Sequence, residues 1–372
     1  MNDLLCQRCG EVFPLDAPVW RCGCGGLLDL RFTARFEPEF IAARPPTLWR
    51  YCEALPIDSD EHIVSFGEGY TPLVEIDVAG RAVLAKQDYL FPTGSYKDRG
   101  AALLVSKAAQ IGVRHVVEDS SGNAGCAIAA YCARAGIACD IYVPESTSEA
   151  KLAQIRFYGA QLHRIPGSRE HTAQAALAAA ADSYYASHSW NPFFFQGTKT
   201  FAFEVCEQLG WRAPDTVVLP AGNGTLLLGC AIGFRELREA AIIDAIPKLV
   251  AVQASACAPL AAAFEAGNSH PEAVSTTKTL AEGIAIAEPV RGPDILAAVS
   301  ETNGCFVRVD EQDIAQALRE VGRQGLYIEP TSAATIAGVK AYCAAAPAGE
   351  SIVTTLTGSG LKSTNKMQQL IL

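Results

Sequence analysis

Basic charge is in short supply in this chain. Lysine and arginine number 30 against 40 acidic residues, giving a formal charge of −10 and a pI near 5.2. Phosphate backbones are bound by basic faces, so nucleic acid is excluded as the main partner. Long apolar runs are missing as well. No stretch reaches the roughly 18 residues needed to cross a bilayer, which excludes a spanning helix. The longest bland run, 173–181, is an alanine-rich segment interrupted by Gln174. The opening MNDLLCQRCG has neither a cationic leader nor an apolar segment of the kind that directs secretion, so a cytoplasmic protein is expected. The histidines, at 62, 115, 163, 171, 188 and 270, show no ligand spacing, and none is assigned a role. No period of about 20 to 50 residues recurs, which leaves a solenoid unsupported.

What is present suits a globular protein. The chain has 372 residues, 49% hydrophobic and 19% charged, enough for a sizeable core and, by length, two domains or more. Thirteen cysteines is a high and odd count. In a reducing compartment they would not form a disulfide framework. Most sit singly in apolar runs (Cys126, Cys132, Cys206, Cys230), where cysteine acts as a small core residue. Four differ: Cys6-Gln-Arg-Cys9 and Cys22-Gly-Cys24 form two close pairs separated by twelve residues. Two thiolate pairs on a short loop can close a tetrahedral Zn²⁺ site, and Gly10, Gly23, Gly25 and Gly26 permit the knuckle turns. The second pair has a single spacer, tighter than usual. A structural zinc ribbon is the expectation, while a ribbon with lost or oxidised metal and unrelated thiols stay open. No catalytic role is assigned to it.

Residues 31–65 are mixed and broken by Pro38, Pro45, Pro46 and Pro56. From about residue 82, short β-branched or apolar runs alternate with longer alanine-rich segments of helical period. The pattern predicts strands over 82–86, 114–118, 140–143, 161–165, 216–219, 248–253 and 352–356. Helices are predicted over 98–110, 123–135, 149–158, 172–181, 199–209, 225–239 and 313–323. Such alternation implies βαβ crossovers and mostly parallel sheets, an α/β fold with its chemistry where strand ends run into helix starts.

Three of those loops stand out. In Pro92-Thr-Gly-Ser-Tyr-Lys-Asp-Arg-Gly100 a lysine, Lys97, opens a helix. A helix start disfavours a cation, which suits an amine that must react as a nucleophile; a surface lysine is the plain alternative. In Asp119-Ser-Ser-Gly-Asn-Ala-Gly125, the side chains of Ser120, Ser121 and Asn123 and the backbone amides can hold a carboxylate, or serve only as an N-cap with turn glycines. In Pro220-Ala-Gly-Asn-Gly-Thr225, small residues let amides close on a phosphate at a helix's positive end. The P-loop Lys-Ser/Thr and the spaced glycines of a dinucleotide fingerprint are absent, so ATP and NAD fit poorly.

Taken in this order, the loops resemble those of the fold-type II pyridoxal-phosphate enzymes, and within them the threonine synthase family. The matching segments are GEGYTPL (67–73), PTGSYKDRG (92–100), SSGNAG (120–125), NP…GTKTFAFE (191–204), PAGNGT (220–225), IEPTSAAT (328–335) and LTGSGLK (356–362). The resemblance implies two open, twisted, mostly parallel sheets flanked by helices, tryptophan synthase β-like, behind a small N-terminal cysteine ribbon. It implies a ribbon-like segment over 1–30, a large cofactor-binding domain over 31–100 and 166–372, and a small mobile domain over 101–165. It makes Lys97 the lysine that forms the Schiff base with pyridoxal 5′-phosphate and moves the protons at Cα and Cβ. Asn123 would bond the cofactor's 3′-oxygen, Gly222, Asn223, Gly224 and Thr225 its phosphate, and Thr357 its pyridine nitrogen. Ser120 and Ser121 would meet the substrate carboxylate, and the cluster Cys6, Cys9, Cys22 and Cys24 would take the metal. A homodimer is the family's habit. Glu329 could reach the ring region, cap a helix or join an ion pair.

Some residues depart from the family's pattern. Ala124 stands where a phosphate-holding threonine is common, and Phe193-Phe194-Phe195 follows Asn191-Pro where an arginine is usual. Phe91 replaces the usual asparagine before PTGS, and TLAEGIAIAEP (279–289) looks more like the dehydratases. A subsite without that donor and cation binds a doubly charged phosphate weakly. The reaction implied is therefore an elimination or replacement on a small amino acid: threonine synthase-like conversion of O-phosphohomoserine to threonine, serine/threonine dehydration, or a cysteate synthase-like β-replacement. A non-catalytic binding protein of the same fold is the alternative from another class.

Overall fold

The computed structural model describes residues 2–371 except 168, 275 and 276. Its strands, in chain order, are β1 Asp3–Cys6, β2 Val12–Pro14, β3 Leu28–Arg31, β4 Leu73–Val78, β5 Arg81–Lys86, β6 His115–Glu118 and β7 Ala138–Pro144. They continue with β8 Gln161–Ile165, β9 Tyr184–Tyr185, β10 Thr216–Pro220, β11 Lys248–Ala254, β12 Cys305–Val309 and β13 Ile352–Thr355. By internal contacts the chain divides into two units, Met1–Gly69 with Lys97–Thr200, and Tyr70–Tyr96 with Phe201–Leu372. Residues 31–69, 97–100 and 166–200, expected with the larger part, thus cluster with the four-stranded sheet.

The first unit holds two sheets. The ribbon forms an antiparallel sheet in the order β2-β1-β3, with Leu4 opposite Phe13 on one side and Leu30 on the other. A second, fully parallel sheet runs β8-β7-β6-β9. The helices Asn123–Ala135 and Arg169–Ala179 pack on β7. Their small side chains allow close approach, and Ala127, Ala130 and Ala176 belong to one core with Val116, Val117, Ile141 and Val143. The first of these helices stops at Gly136, whose φ of 66° is the left-handed turn that glycine adopts freely.

The second unit is built on a six-stranded sheet in the order β12-β11-β10-β13-β5-β4, parallel throughout except for the antiparallel edge pair β4–β5. Every residue of β10 (TVVLP) is buried, the continuous apolar pattern of a central parallel strand covered on both faces. Helix Glu311–Gly322 starts at Asp310, whose carboxylate accepts from the Gln312 and Asp313 amides at 2.9 Å. The two mostly parallel sheets flanked by helices are the α/β architecture expected from the sequence.

Several elements exceed the expectation. The stretch 31–65 contains the short helix Pro38–Ala43, started by its proline. The helix expected over 199–209 is Thr200–Gln208, and a further short helix, Pro192–Thr198, precedes it. Helix Pro330–Cys343 has no amphipathic period because its residues 330–339 are all buried.

Candidate active site

Lys97 is the first residue of helix Lys97–Gln110. Two glycines bring the helix Pro192–Thr198 onto that first turn. A Cβ on Gly100 would stand 2.3 Å from the Phe194 ring, and one on Gly197 would stand 2.0 Å from the Arg99 carbonyl oxygen. Only hydrogen at both positions permits the contact. Phe194 is fully buried as a result, and Lys97 Nζ lies 5.6 Å from its ring centroid. The incoming helix is set by Asn191, whose side chain caps it by accepting from Phe193 N–H at 3.1 Å and donates to the Tyr185 carbonyl at 3.1 Å. Arg99, fully buried, donates to Thr200 Oγ1 at 3.0 Å.

In the same unit β6 ends at Glu118 and the chain turns through Asp119–Gly122 into helix Asn123–Ala135. Ser120 Oγ accepts from the Gly122 amide at 3.3 Å. Ser120, Ser121 and Asn123 are half-buried, while Ala124 is buried. The turn is as tight as backbone allows: a Cβ on Gly125 would fall 1.8 Å from the Ser120 carbonyl oxygen. Gly125→Ala must therefore displace the Ser-Ser-Gly-Asn turn. We expect it to cost about 1–3 kcal/mol, read by urea unfolding, and to lower turnover at least about tenfold.

In the second unit, β10 leads through Ala221–Gly224 into helix Thr225–Glu239. Gly224 has φ 65°, and its Cβ would meet Ile295 at 2.4 Å; a Cβ on Gly222 would meet Ile284 Cα at 2.9 Å. The loop is thus a bare-backbone turn whose amides open a helix of 15 residues, a donor set suited to a phosphate. Thr225 Oγ1 is 2.8 Å from the Tyr96 hydroxyl. Thr357, past the end of β13, is fully buried. Its hydroxyl donates to Glu329 Oε1 at 2.8 Å and lies 2.8 Å from Ser332 Oγ, which also accepts from Thr357 N–H at 2.8 Å. Glu329 makes no side-chain cap bond to its helix; its carboxylate serves Thr357.

The ribbon cysteines come together. The Sγ atoms of Cys6, Cys9, Cys22 and Cys24 all lie within 4.8 Å of one another, with Cys6–Cys24 and Cys9–Cys22 each at 3.5 Å. A tetrahedral set with Zn–S near 2.3 Å has sulfurs about 3.8 Å apart, so the group fits zinc. Hydrogen bonding from the Cys9 backbone, against the opposing effect of burial, brings the Cys6 thiol down to about 6.

Sequence reasoning missed one pair. It left every histidine without a role, yet His188 Nδ1 is 2.9 Å from Glu118 Oε1. The available signal was position: Glu118 closes a strand immediately before the Ser-Ser-Gly-Asn turn.

Residues 64–358 match the model of a family described as pyridoxal-phosphate dependent enzyme, and the chain belongs to that family. Its relatives within that family include threonine synthases more than 30% identical over most of their length, and the chain belongs to the threonine synthase family. The threonine synthase of Methanocaldococcus jannaschii is 34% identical over 96% of this chain and 92% of its own. That of Mycobacterium tuberculosis H37Rv is 36% identical over 86% of this chain and 89% of its own. Among solved structures, the processed form of threonine deaminase isoform 2 from Solanum lycopersicum superposes with a TM-score of 0.70 at 21% identity, covering 93% of this chain and 92% of that one. Maize serine racemase gives 0.69 at 20% identity over 81% and 92%. These two likenesses support the fold.

Proposed function

We propose that this chain catalyses a pyridoxal 5′-phosphate-dependent elimination or replacement on a small, unphosphorylated amino acid, with Lys97 as the cofactor-bearing lysine and the base at Cα. The observation that carries the reading is Lys97 itself, opening a helix whose first turn is clamped against Phe194 by Gly100 and Gly197. When bound, the cofactor supplies an electron sink for the pair left by a bond broken at Cα. The protein's residues do the rest. Lys97 takes the Cα proton. Ser120, Ser121 and the amides of their turn hold the substrate carboxylate, and Asn123 the cofactor's 3′-oxygen. Gly222, Asn223, Gly224 and Thr225 hold its phosphate. Thr357 meets the ring nitrogen with a neutral hydroxyl tied to Glu329 and Ser332, which leaves the ring a moderate sink suited to elimination.

The substrate preference rests on Ala124 and Phe194, both buried and neither with a side chain able to offer a donor to a distal phosphate. Serine/threonine dehydration, cysteate synthase-like replacement and threonine synthase-like conversion of O-phosphohomoserine share the same first proton transfer, and the altered phosphate contacts favour the first two. We expect L-threonine or L-serine to be turned over at least about tenfold faster than O-phospho-L-homoserine, since a missing charged contact is worth about 1.5–3 kcal/mol. Phosphate release at ordinary enzyme rates would reverse the assignment. Structural zinc on Cys6, Cys9, Cys22 and Cys24, residence in the cytoplasm and a homodimer complete the reading; metal analysis and light scattering check the first and last.

A further inference from the structure

Two acid–base side chains of the Lys97 unit have no part in that reading. Glu118 is the last residue of β6 and is fully buried; His188, three residues past β9, is 7% exposed. β6 and β9 are parallel neighbours with Val117 opposite Tyr185, so both leave the sheet at the end where the Ser-Ser-Gly-Asn turn begins. His188 Nδ1 and Glu118 Oε1 are 2.9 Å apart, and the other Glu118 oxygen is buried without a hydrogen-bond partner among the described residues. The His188 ring stands edge-on to Phe194, centroids 6.0 Å apart at 67°, the same ring over which Lys97 Nζ lies. An apolar pair would fill this core without leaving a buried carboxylate oxygen open. Structural need alone does not account for the dyad.

We propose that the Glu118–His188 dyad is a second acid–base group of the site, oriented by Glu118 and protonating the oxygen that departs from the substrate through His188. The proposal rests on the reading above and narrows its substrate class to small amino acids whose leaving group is a hydroxyl, which cannot depart without a proton. Lys97 takes the Cα proton, and the C–H electron pair becomes the Cα–Cβ double bond. The Cβ–O bond breaks with its pair on oxygen, and the proton on His188 Nε2 moves to that oxygen, so that water leaves. The dyad, now one proton short, regains it through solvent as the Lys97 ammonium gives its proton up.

The electrostatics agree. Burial lifts the Glu118 carboxyl well above its ordinary range, Asp119 adds to the lift, and the Lys97 charge opposes it. Cys139 on β7 and the Tyr185 hydroxyl are the other titratable groups that interact with it. A proton on the Glu118 carboxyl at the Nδ1 contact makes Nε2 the protonated nitrogen of the ring, and this is the state that the proposal requires.

The test uses holoenzyme, with L-serine, L-threonine and β-chloro-L-alanine as probes; chloride leaves without a proton. His188→Gln and Glu118→Gln should each lower the ratio of serine to chloroalanine turnover by about 100-fold or more, with KM for serine changed less than about threefold. In the cofactor-free wild-type protein, ¹⁵N spectra should show a proton on His188 Nε2 at neutral pH. Equal losses on serine and chloroalanine in both variants, or a bare Nε2, would overturn the proposal. A wild-type enzyme inert towards all three probes would instead sink the reading beneath it, and the proposal with it.

Discussion

Lys97→Ala protein should lack the visible absorption band of bound pyridoxal phosphate and turn over its amino-acid substrate at least about 1,000-fold more slowly than wild type. The size follows from two roles lost together. A positioned base contributes about 10²–10⁴-fold by itself, and the covalent hold on the cofactor goes with the same atom. The fold should survive. The Lys97 side chain is only partly buried, whereas its helix is held by contacts that the substitution leaves alone: Phe194 against Gly100, Gly197 against the Arg99 carbonyl, and Arg99 on Thr200. The unfolding temperature should therefore stay within about 2 °C of wild type, the scale of a surface substitution of about 0.5 kcal/mol. Lys97→Arg keeps the charge and length but presents a guanidinium that cannot take the aldehyde, so it should fail equally. Partial recovery of Lys97→Ala by an added small primary amine would locate the loss in the missing amine. A variant that kept both the band and the turnover would remove Lys97 from the chemistry.

The parts of this molecule that could be read in advance are those whose signal is local. Strand-to-helix turns announce themselves through glycine and small polar residues, and the starts of the helices at Asn123 and Thr225 agree with the sequence to the residue. Lys97 was legible for the same reason, as a lysine at a helix start inside a turn motif. The Glu118–His188 pair was not. Its partners are 70 residues apart, and they meet only because β9, a strand of two residues, pairs with β6. Nothing in a two-residue run of tyrosines marks it as the strand that closes a sheet order. Helix Pro330–Cys343 was hidden for the opposite reason: surrounded by core, it has no polar face and hence no period to detect. Glu329 read equally as a residue near the cofactor ring, a cap or an ion-pair partner, because its hydrogen bond with Thr357 joins residues 28 apart in the chain.

Stripping metal from the ribbon should lower the unfolding temperature by roughly 5–10 °C while leaving the cofactor's visible band in place. The four sulfurs gather in a segment whose three strands are three or four residues long, too short to stand alone. Chelation should release the register that brings Cys6 to Cys24 and Cys9 to Cys22. The loss spreads through Trp20. Its indole donates to the Ala180 carbonyl at 3.4 Å and packs edge-on against Tyr185, centroids 4.9 Å apart, and Trp190, 5.9 Å apart. Undocking such a side chain costs about 3–5 kcal/mol, the range of buried Trp→Ala, and that sets the size of the shift. Trp20→Ala in metal-replete protein should reproduce most of it, because the docking and not the ion itself stabilises the unit. Calorimetry of the replete, chelated and Trp20→Ala proteins separates the cases. A chelated protein that melts with the untreated one would show that the cysteines hold no structural metal, whereas a Trp20→Ala protein that melts with wild type would show that the ribbon stabilises the unit through some other contact.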